Sequence, residues 1–385
     1  MKAVKNVVIL GSTGSIGINT LKIIDRFPNR FKVVALTAYH NIQLLKEQID
    51  KYAPSHVAVG SSGIDYLRNR INGQRTRVLD VTTEITQIVT LPSVDIVIIG
   101  MRGSVALEPF LVALQNGKTV APANKEAIVV AGDLIIREAK KYNAKIIPID
   151  SEQSAIFQCI EGRPRSELQK VYLTASGGVL QDVPRAAFDR LSVKRILQHP
   201  RWKMGKKITV DSASLMNKGF EIIEAKWLFE LNIDDIEVVI HPEAIIHSMV
   251  GFKDGTILAQ LGVTDMRLPI QYALTYPQRW ESGLPQVNFF DLKQLTFRRP
   301  NLKKFPSLAL AIYTARKGGT LPCVLNAADE EAVEAFLNKR ISFSGIYKVV
   351  EKVVLKHKIK ENPMLKDIQA TDQWAREETK RLVFN

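Results

Sequence analysis

"VKNVVILGSTGSIGINTLKIIDRF", residues 4–27, reads as a strand, a glycine turn and a helix in direct succession. Apolar residues run almost unbroken to Leu10, as in a strand buried on both faces, and then recur at helical spacing from Ile18. Gly11, Gly14 and Gly17 fill the turn. Glycines there let the chain turn tightly and bring backbone N–H groups and the positive helix end up to a pyrophosphate. The spacing G-x-x-G-x-x-G differs from the commoner G-x-G-x-x-G, and a turn needed only for close helix packing is the competing reading.

The alternation continues outward from this unit. "FKVVALTA" (31–38), "HVAVG" (56–60), "TRVLD" (76–80), "VDIVIIG" (94–100), "KTVAPAN" (118–124) and "AKIIPID" (144–150) read as strands, with helices over 41–52, near 61–72, over 105–117 and from about 125 to 141. Repeats of this length predict an α/β, Rossmann-like, doubly wound parallel sheet with helices on both faces, spanning residues 1–149. Beyond it, "KVYLTASGG", "IEVVIHPEAIIHSMVGF" and "TILAQLG" are strand-like, and "KDGT" at 253–256 supplies an Asp-Gly hairpin signal. A central α+β catalytic domain with a mixed sheet is expected over 150–275, then a weakly periodic connector over 276–306 and a helical C-terminal domain over 307–385.

With 385 residues, 46% hydrophobic and 24% charged, the composition is that of an ordinary globular chain rather than a disordered one. The N-terminus has no signal-peptide pattern and no apolar run approaches the ~18 residues of a membrane helix, so a cytoplasmic location with no membrane partner is expected. Cys159 and Cys323 form no C-x-x-C pair and read as core thiols. The net charge of +14 suits phosphorylated ligands or simple solubility; no nucleic-acid-binding signature accompanies it.

Several motifs carry chemistry. The second strand ends in "LTAYHNIQ", without the carboxylate that holds an NAD ribose, while His40 and Asn41 can donate to a 2′-phosphate; NADP is favoured, against a solvated loop histidine. In "IIPIDSEQSAIFQ" (146–158) Asp150 and Gln153 fit a capping box, which leaves Glu152 unexplained. Two residues apart in extended chain, Asp150 and Glu152 face one side and suit a shared divalent cation with oxygen preference. Asn217, Lys218 and Glu221 share one face near a helix start and supply a further carboxylate, unless they form only a solvated surface pair. "LQHPRWKMGKK" (197–207) has the composition of a lid, with a basic surface loop as the bland alternative, and Ser176 in "TASGG" is another phosphate contact.

"LGSTGSIG", "APANKE", "PIDSEQSAIFQ", "LTASGG", "HPRWKMGKKITVDSASLMNKGFEIIEAKWLF" and "HPEAIIHSMV" occur in an order that closely resembles the 1-deoxy-D-xylulose 5-phosphate reductoisomerase family, most specifically from 148 to 250. That resemblance implies NADPH-dependent isomerisation and reduction of 1-deoxy-D-xylulose 5-phosphate to 2-C-methyl-D-erythritol 4-phosphate, with Mg²⁺, Mn²⁺ or Co²⁺, in a homodimer. It implies Asp150, Glu152 and Glu221 as metal ligands, with Lys125 adding positive charge at the reacting carbons. It implies substrate contacts by Lys125, Ser151, Glu152, Ser176, His199, Ser212, Asn217, Lys218 and Glu221. Thr13, Gly14, Ser15, Ile16, Asn41, Asn124, Glu126 and Gly205 become cofactor contacts, and Trp202 and Met204 belong to the lid. Two positions depart from the family pattern: Gln153 where histidine is common, and Tyr39 where glycine is common. His247 reads as either an active-site or a structural histidine. The rivals are an NADP oxidoreductase acting on another phosphorylated polyol without isomerisation, and a catalytically silent nucleotide- or nucleic-acid-binding protein.

Overall fold

The first strand, β1 (Lys5–Leu10), is fully covered from Val7 to Leu10, and the chain leaves it through Gly11, whose φ of +86° is open only to glycine at low cost. The computed structural model describes residues 4–71, 75–101, 103–202 and 204–384. The chain divides into two compact units, one of Met1–Ala127, Ile135–Ser154 and Asp265–Leu284, the other of Ile128–Leu134, Ala155–Thr264 and Pro285–Asn385. These are units of packing, and the functional segments expected from the sequence cut across them.

In the first unit, β1 is followed by α1 (Ser15–Arg26), β2 (Phe31–Ala38), α2 (Ile42–Tyr52), β3 (His56–Val59), α3 (Ser61–Arg68), β4 (Arg77–Asp80), α4 (Ile85–Val89), β5 (Ile96–Ile99), α5 (Leu107–Gln115) and β6 (Thr119–Pro122). The six strands are all parallel in the order β4-β3-β2-β1-β5-β6. Connections run one way from β1 to β4 and the other way from β5 to β6, so the glycine turn lies at the switch point, where ligands collect in open α/β sheets. Gly17 lies within α1 and costs that helix about 1 kcal/mol relative to alanine. Burial of Leu21, Ile23 and Ile24 on the same helix offsets this at about 1.5–3 kcal/mol per side chain.

The helix α6 (Glu126–Lys141) breaks its helical geometry at Ala131 (φ −141°, ψ 32°), and the division between the units passes through it and through α7 (Ser151–Ile160). The strand expected over 144–150 is reduced to a single parallel bridge between Ile146 and Val120. Val120 donates to the Lys145 carbonyl and Ile147 to that of Val120, but the next donor would be Pro122, which has no N–H. Ile149 N still donates to the Pro122 carbonyl at 2.9 Å, so the segment runs beside β6 without completing the ladder. Glu152 is correspondingly in the first turn of α7 rather than in extended chain, which corrects the alternation argument for that pair.

The second unit carries α8 (Val193–Ile196), α9 (Lys206–Ser214) and α10 (Met216–Leu228), and a four-stranded sheet of β7 (Leu168–Ala175), β8 (Ile236–Ile240), β9 (Ile246–Phe252) and β10 (Ile257–Leu261). Its order is β10-β9-β7-β8, with β7 and β8 parallel and the other pairs antiparallel. The hairpin read from "KDGT" joins β9 to β10: Asp254 Oδ1 accepts from Thr256 N at 2.8 Å and Gly255 has φ +88°. After β10, α11 (Arg267–Thr275) returns to the first unit and packs on α1, where Trp280 meets Phe27 and Phe31 at 5.0 and 5.7 Å between ring centroids. A short turn, α12 (Phe289–Leu292), interrupts the irregular stretch that follows. The chain closes on α13 (Pro306–Lys317), α14 (Leu321–Leu337), α15 (Phe343–Lys356) and α16 (Leu365–Phe384), whose apolar faces join β7, α10 and Phe305 in one core. Among the described residues no helix is long and apolar enough to cross a membrane.

Candidate active site

In the first unit the turn after β1 is locked from beneath. Thr37 Oγ1 accepts from Gly11 N at 2.8 Å, and Ser12 exchanges bonds with Gln48 at 2.7 and 3.0 Å. Gly14 caps α1 without a side chain and spends its own N–H on the Gly11 carbonyl at 3.1 Å, so the first turn that begins with Ser15 and Ile16 leaves its backbone N–H groups without a side-chain cap, the arrangement that accepts phosphate. Asn41 is the N-cap of α2 and accepts from Leu44 N at 3.2 Å; Tyr39 beside it is exposed, with its ring 4.6 Å from that of His40. Asn124 is buried and heavily engaged: its amide donates to the carbonyls of Met101 and Gly103 while its oxygen accepts from Glu126 N at 2.8 Å. It therefore ties the end of β6 to the loop after β5 and starts α6.

Lys125 and Asp150 form an ion pair with both side chains buried. Asp150 also accepts from Glu152 N at 3.3 Å, so its carboxylate does cap α7, and Ser151 Oγ donates to Glu152 Oε2 at 2.5 Å. The cap and the ligand reading are compatible, because a carboxylate has about four lone-pair sites. Gln153, in the same turn, is fully buried.

The second unit assembles two further clusters. On α10, Asn217 Nδ2 donates to Glu221 Oε1 at 2.6 Å and the Lys218 ammonium to Glu221 Oε2. Lys218 and Glu221 are 3% and 1% exposed, which excludes the solvated surface pair. The helix starts from Leu215 at φ +60°, a strained conformation for a γ-branched side chain. The other cluster joins Ser176, His199 and Ser212: His199 Nε2 lies 3.2 Å from Ser176 Oγ and 3.1 Å from Ser212 Oγ. His199 Nδ1 accepts from the amides of Arg201 and Trp202 at 3.2 and 2.9 Å, so the neutral ring carries its proton on Nε2 and presents it between the two hydroxyls. Gly178 permits this convergence, since a Cβ there would lie 2.7 Å from the Ser212 carbonyl oxygen.

The described residues between Ile196 and Lys206 are neither helix nor strand, and Gly205 caps α9. Trp202 lies 6.1 Å from the buried His247 ring, Met204 is partly covered, and Lys203 lies outside the described residues. Sequence reasoning missed the buried group behind Ser212, where Lys207 pairs with Asp211 at 2.6 Å and Asp329 at 3.0 Å. Burial, and then the like charge of Asp329, push the Asp211 carboxyl well above its ordinary range. The i,i+4 spacing of Lys207 and Asp211 was its only local signal. His241 was also missed, as an ordinary strand-end residue.

Comparison with known proteins follows the same lines. Family models described as 1-deoxy-D-xylulose 5-phosphate reductoisomerase, its C-terminal domain, and DXP reductoisomerase C-terminal domain match residues 7–132, 146–229 and 261–378. The 1-deoxy-D-xylulose 5-phosphate reductoisomerase of Pelotomaculum thermopropionicum is 47% identical over 97% of each chain, and that of Heliobacterium modesticaldum is 47% identical over 97% of this chain and 96% of its own. The chain belongs to the 1-deoxy-D-xylulose 5-phosphate reductoisomerase family. Among solved structures, the reductoisomerase of Zymomonas mobilis in complex with NADPH superposes with a TM-score of 0.93 at 36% identity, covering 99% of both chains. A reductoisomerase in complex with NADPH, fosmidomycin and magnesium also gives 0.93, at 37% identity over 99% of this chain and 98% of its own.

Proposed function

We propose that the chain isomerises 1-deoxy-D-xylulose 5-phosphate and reduces the product with NADPH to 2-C-methyl-D-erythritol 4-phosphate, using Mg²⁺ or Mn²⁺, with Co²⁺ as a substitute. The observation that carries this reading is the burial of Lys125, Asp150, Lys218 and Glu221 as ion-paired groups in a chain of this family. Such burial is costly without a task, because desolvation removes several kcal/mol per ion that pairing only partly returns. In this reading Asp150, Glu152 and Glu221 each supply a carboxylate oxygen to the ion. An all-oxygen donor set fits a hard divalent cation and excludes a thiolate site. The glycine turn and the uncapped start of α1 fit the dinucleotide, and the carboxylate-free end of β2 fits its 2′-phosphate.

When bound, the divalent ion polarises the substrate's carbonyl and NADPH supplies the hydride. The protein's own groups do the rest. Ser176, Ser212 and the Nε2 proton of His199 hold the phosphate; Asn217 and Lys218 orient Glu221 and face the same ligand. Lys125 pairs with Asp150 and adds positive charge where an oxyanion develops. Trp202 and Met204 cover the substrate and exclude water from an aldehyde intermediate. Thr13, Gly14, Ser15, Ile16, Asn41, Asn124, Glu126 and Gly205 contact the cofactor. In this reading residues 1–149 bind NADPH, 150–275 carry catalysis, and 307–385 form the helical domain of a cytoplasmic homodimer.

The test is NADPH oxidation by the purified protein with 1-deoxy-D-xylulose 5-phosphate, with divalent ion added or withheld and NADH run alongside. Oxidation that needs both substrate and ion is expected; equal rates with NADH would remove the cofactor assignment. A second expectation concerns Gly17, where a Cβ would lie 2.3 Å from Ser12 Cα and 2.5 Å from the Gly11 oxygen. Gly17→Ala displaces the turn from α1 at a cost of about 1–3 kcal/mol. Steady-state kinetics should show the KM for NADPH raised about tenfold, the equivalent of 1.4 kcal/mol, and the KM for substrate little changed.

A further inference from the structure

The turn that links β8 to β9 is organised by one ring. His241 is completely buried, and its own amide donates to the carbonyl of Ala175, the residue before Ser176. Its Nε2 faces the amides of Ile245 and Ile246, each at 3.2 Å, and therefore accepts from both. The proton is then on Nδ1, which lies 3.0 Å from the Thr296 carbonyl and 3.0 Å from Glu243 Oε2. Glu243 in turn accepts from Thr296 N and Oγ1 at 3.1 and 2.6 Å. Partial burial opposes ionisation of Glu243, but these bonds hold its carboxyl below the ordinary range. Phe297 stacks on the imidazole at 5.1 Å with 17° between planes.

The turn held in this way touches the candidate substrate cluster on two sides. Pro242, next to His241, accepts from Arg201 Nε at 2.9 Å, and Arg201 shares with Trp202 the task of donating to His199 Nδ1. On the other side the turn delivers Ile246, whose carbonyl accepts from Thr174 Oγ1 at 2.7 Å, and then His247 beside Trp202. One buried ring thus sets the backbone that anchors the root of the 197–205 segment and aims His247.

We propose that His241 is a positioning residue for the reaction, acting through the 241–246 turn on His199, Arg201 and Trp202; this rests on the reading of His199 and Trp202 as substrate groups. It touches no substrate itself. A hydrophobic replacement leaves two amides aimed at a side chain that cannot accept, so the turn must move to find other partners.

The experiment uses the full chain and two variants. His241→Phe keeps a ring against Phe297 and removes both bonds; His241→Gln keeps an acceptor that reaches the Ile245 and Ile246 amides. Hydrogen exchange by mass spectrometry should show His241→Phe exchanging faster both at 241–247 and at 198–202, with His241→Gln restoring the second segment. In kinetics His241→Phe should lower kcat/KM for substrate by about 10–10²-fold, the scale of an ångström of misplacement, mainly through KM. His241→Gln should stay within about threefold of wild type, and the KM for NADPH should change little. Faster exchange confined to 241–247, or equal losses toward substrate and NADPH without rescue by glutamine, would overturn the proposal. If the coupling between the two segments appears while wild-type protein is inert toward the sugar phosphate, the functional reading fails and the coupling stands. Should His241→Phe not fold, Glu243→Ala decides, since it removes the carboxylate beside Nδ1 from a partly exposed position. The same pattern at smaller amplitude is expected, and unchanged exchange at 198–202 refutes the role.

Discussion

Glu221→Gln is expected to lower kcat by about 10³-fold at saturating divalent ion, the upper end of what one group aimed at developing charge contributes. Glutamine keeps the length and planarity of the side chain and can still accept from Asn217, so geometry survives while one negative charge is lost. Lys218, which is buried, then loses the carboxylate of Glu221 as an ion-pair partner. Removing one member of a buried pair costs about 3–5 kcal/mol, so the melting temperature should fall as well. The two effects separate on titration with Mg²⁺. A missing ligand raises the ion concentration needed for half-maximal rate, whereas a loosened fold alone leaves that concentration where it was. Undiminished turnover would remove Glu221 from the ligand set.

Lys125→Met is the second large expectation, with kcat reduced by about 10²-fold for the loss of positive charge at the reacting oxygen. Its more diagnostic effect is on stability. Asp150 loses Lys125 as a buried ion-pair partner, at a cost of about 3–5 kcal/mol, and a divalent ion is another means of neutralising it. Mg²⁺ should therefore raise the melting temperature of Lys125→Met more than that of the wild-type protein, since ligands that bind only the native state stabilise it by mass action. Equal shifts in the two proteins would mean that Asp150 does not meet the ion.

Local pattern made much of this fold legible. β2 covers the same residues, 31–38, as the run "FKVVALTA", because a strand covered on both faces from Val33 onward reads as a near-continuous apolar run. The Asp-Gly hairpin and the C-terminal helices were equally plain, each being decided within a few turns of chain. What periodicity could not supply was partnership across distance. Nothing near Lys125 announces Asp150, and nothing in "ESGLP" announces that Trp280 packs against Phe27. The strand over 144–150 failed for a related reason, since the donor it lacks belongs to Pro122 on the neighbouring strand. At the site, residue types were readable but their states were not. Lys218 and Glu221 have the spacing of a surface pair, and only burial by the rest of the second unit makes that pair a deliberate one.

Gly178 sets a limit of another kind. Because its α-carbon rests against the main chain of α9, the gap between the Ser176 and Ser212 hydroxyls is gauged by peptide units rather than by side chains. Trimming either serine would remove one of the hydroxyls that meet His199 Nε2 without moving the backbone beneath it. Engineering at those two positions would therefore retune the contacts the hydroxyls make while the main-chain spacing under them stays as it is.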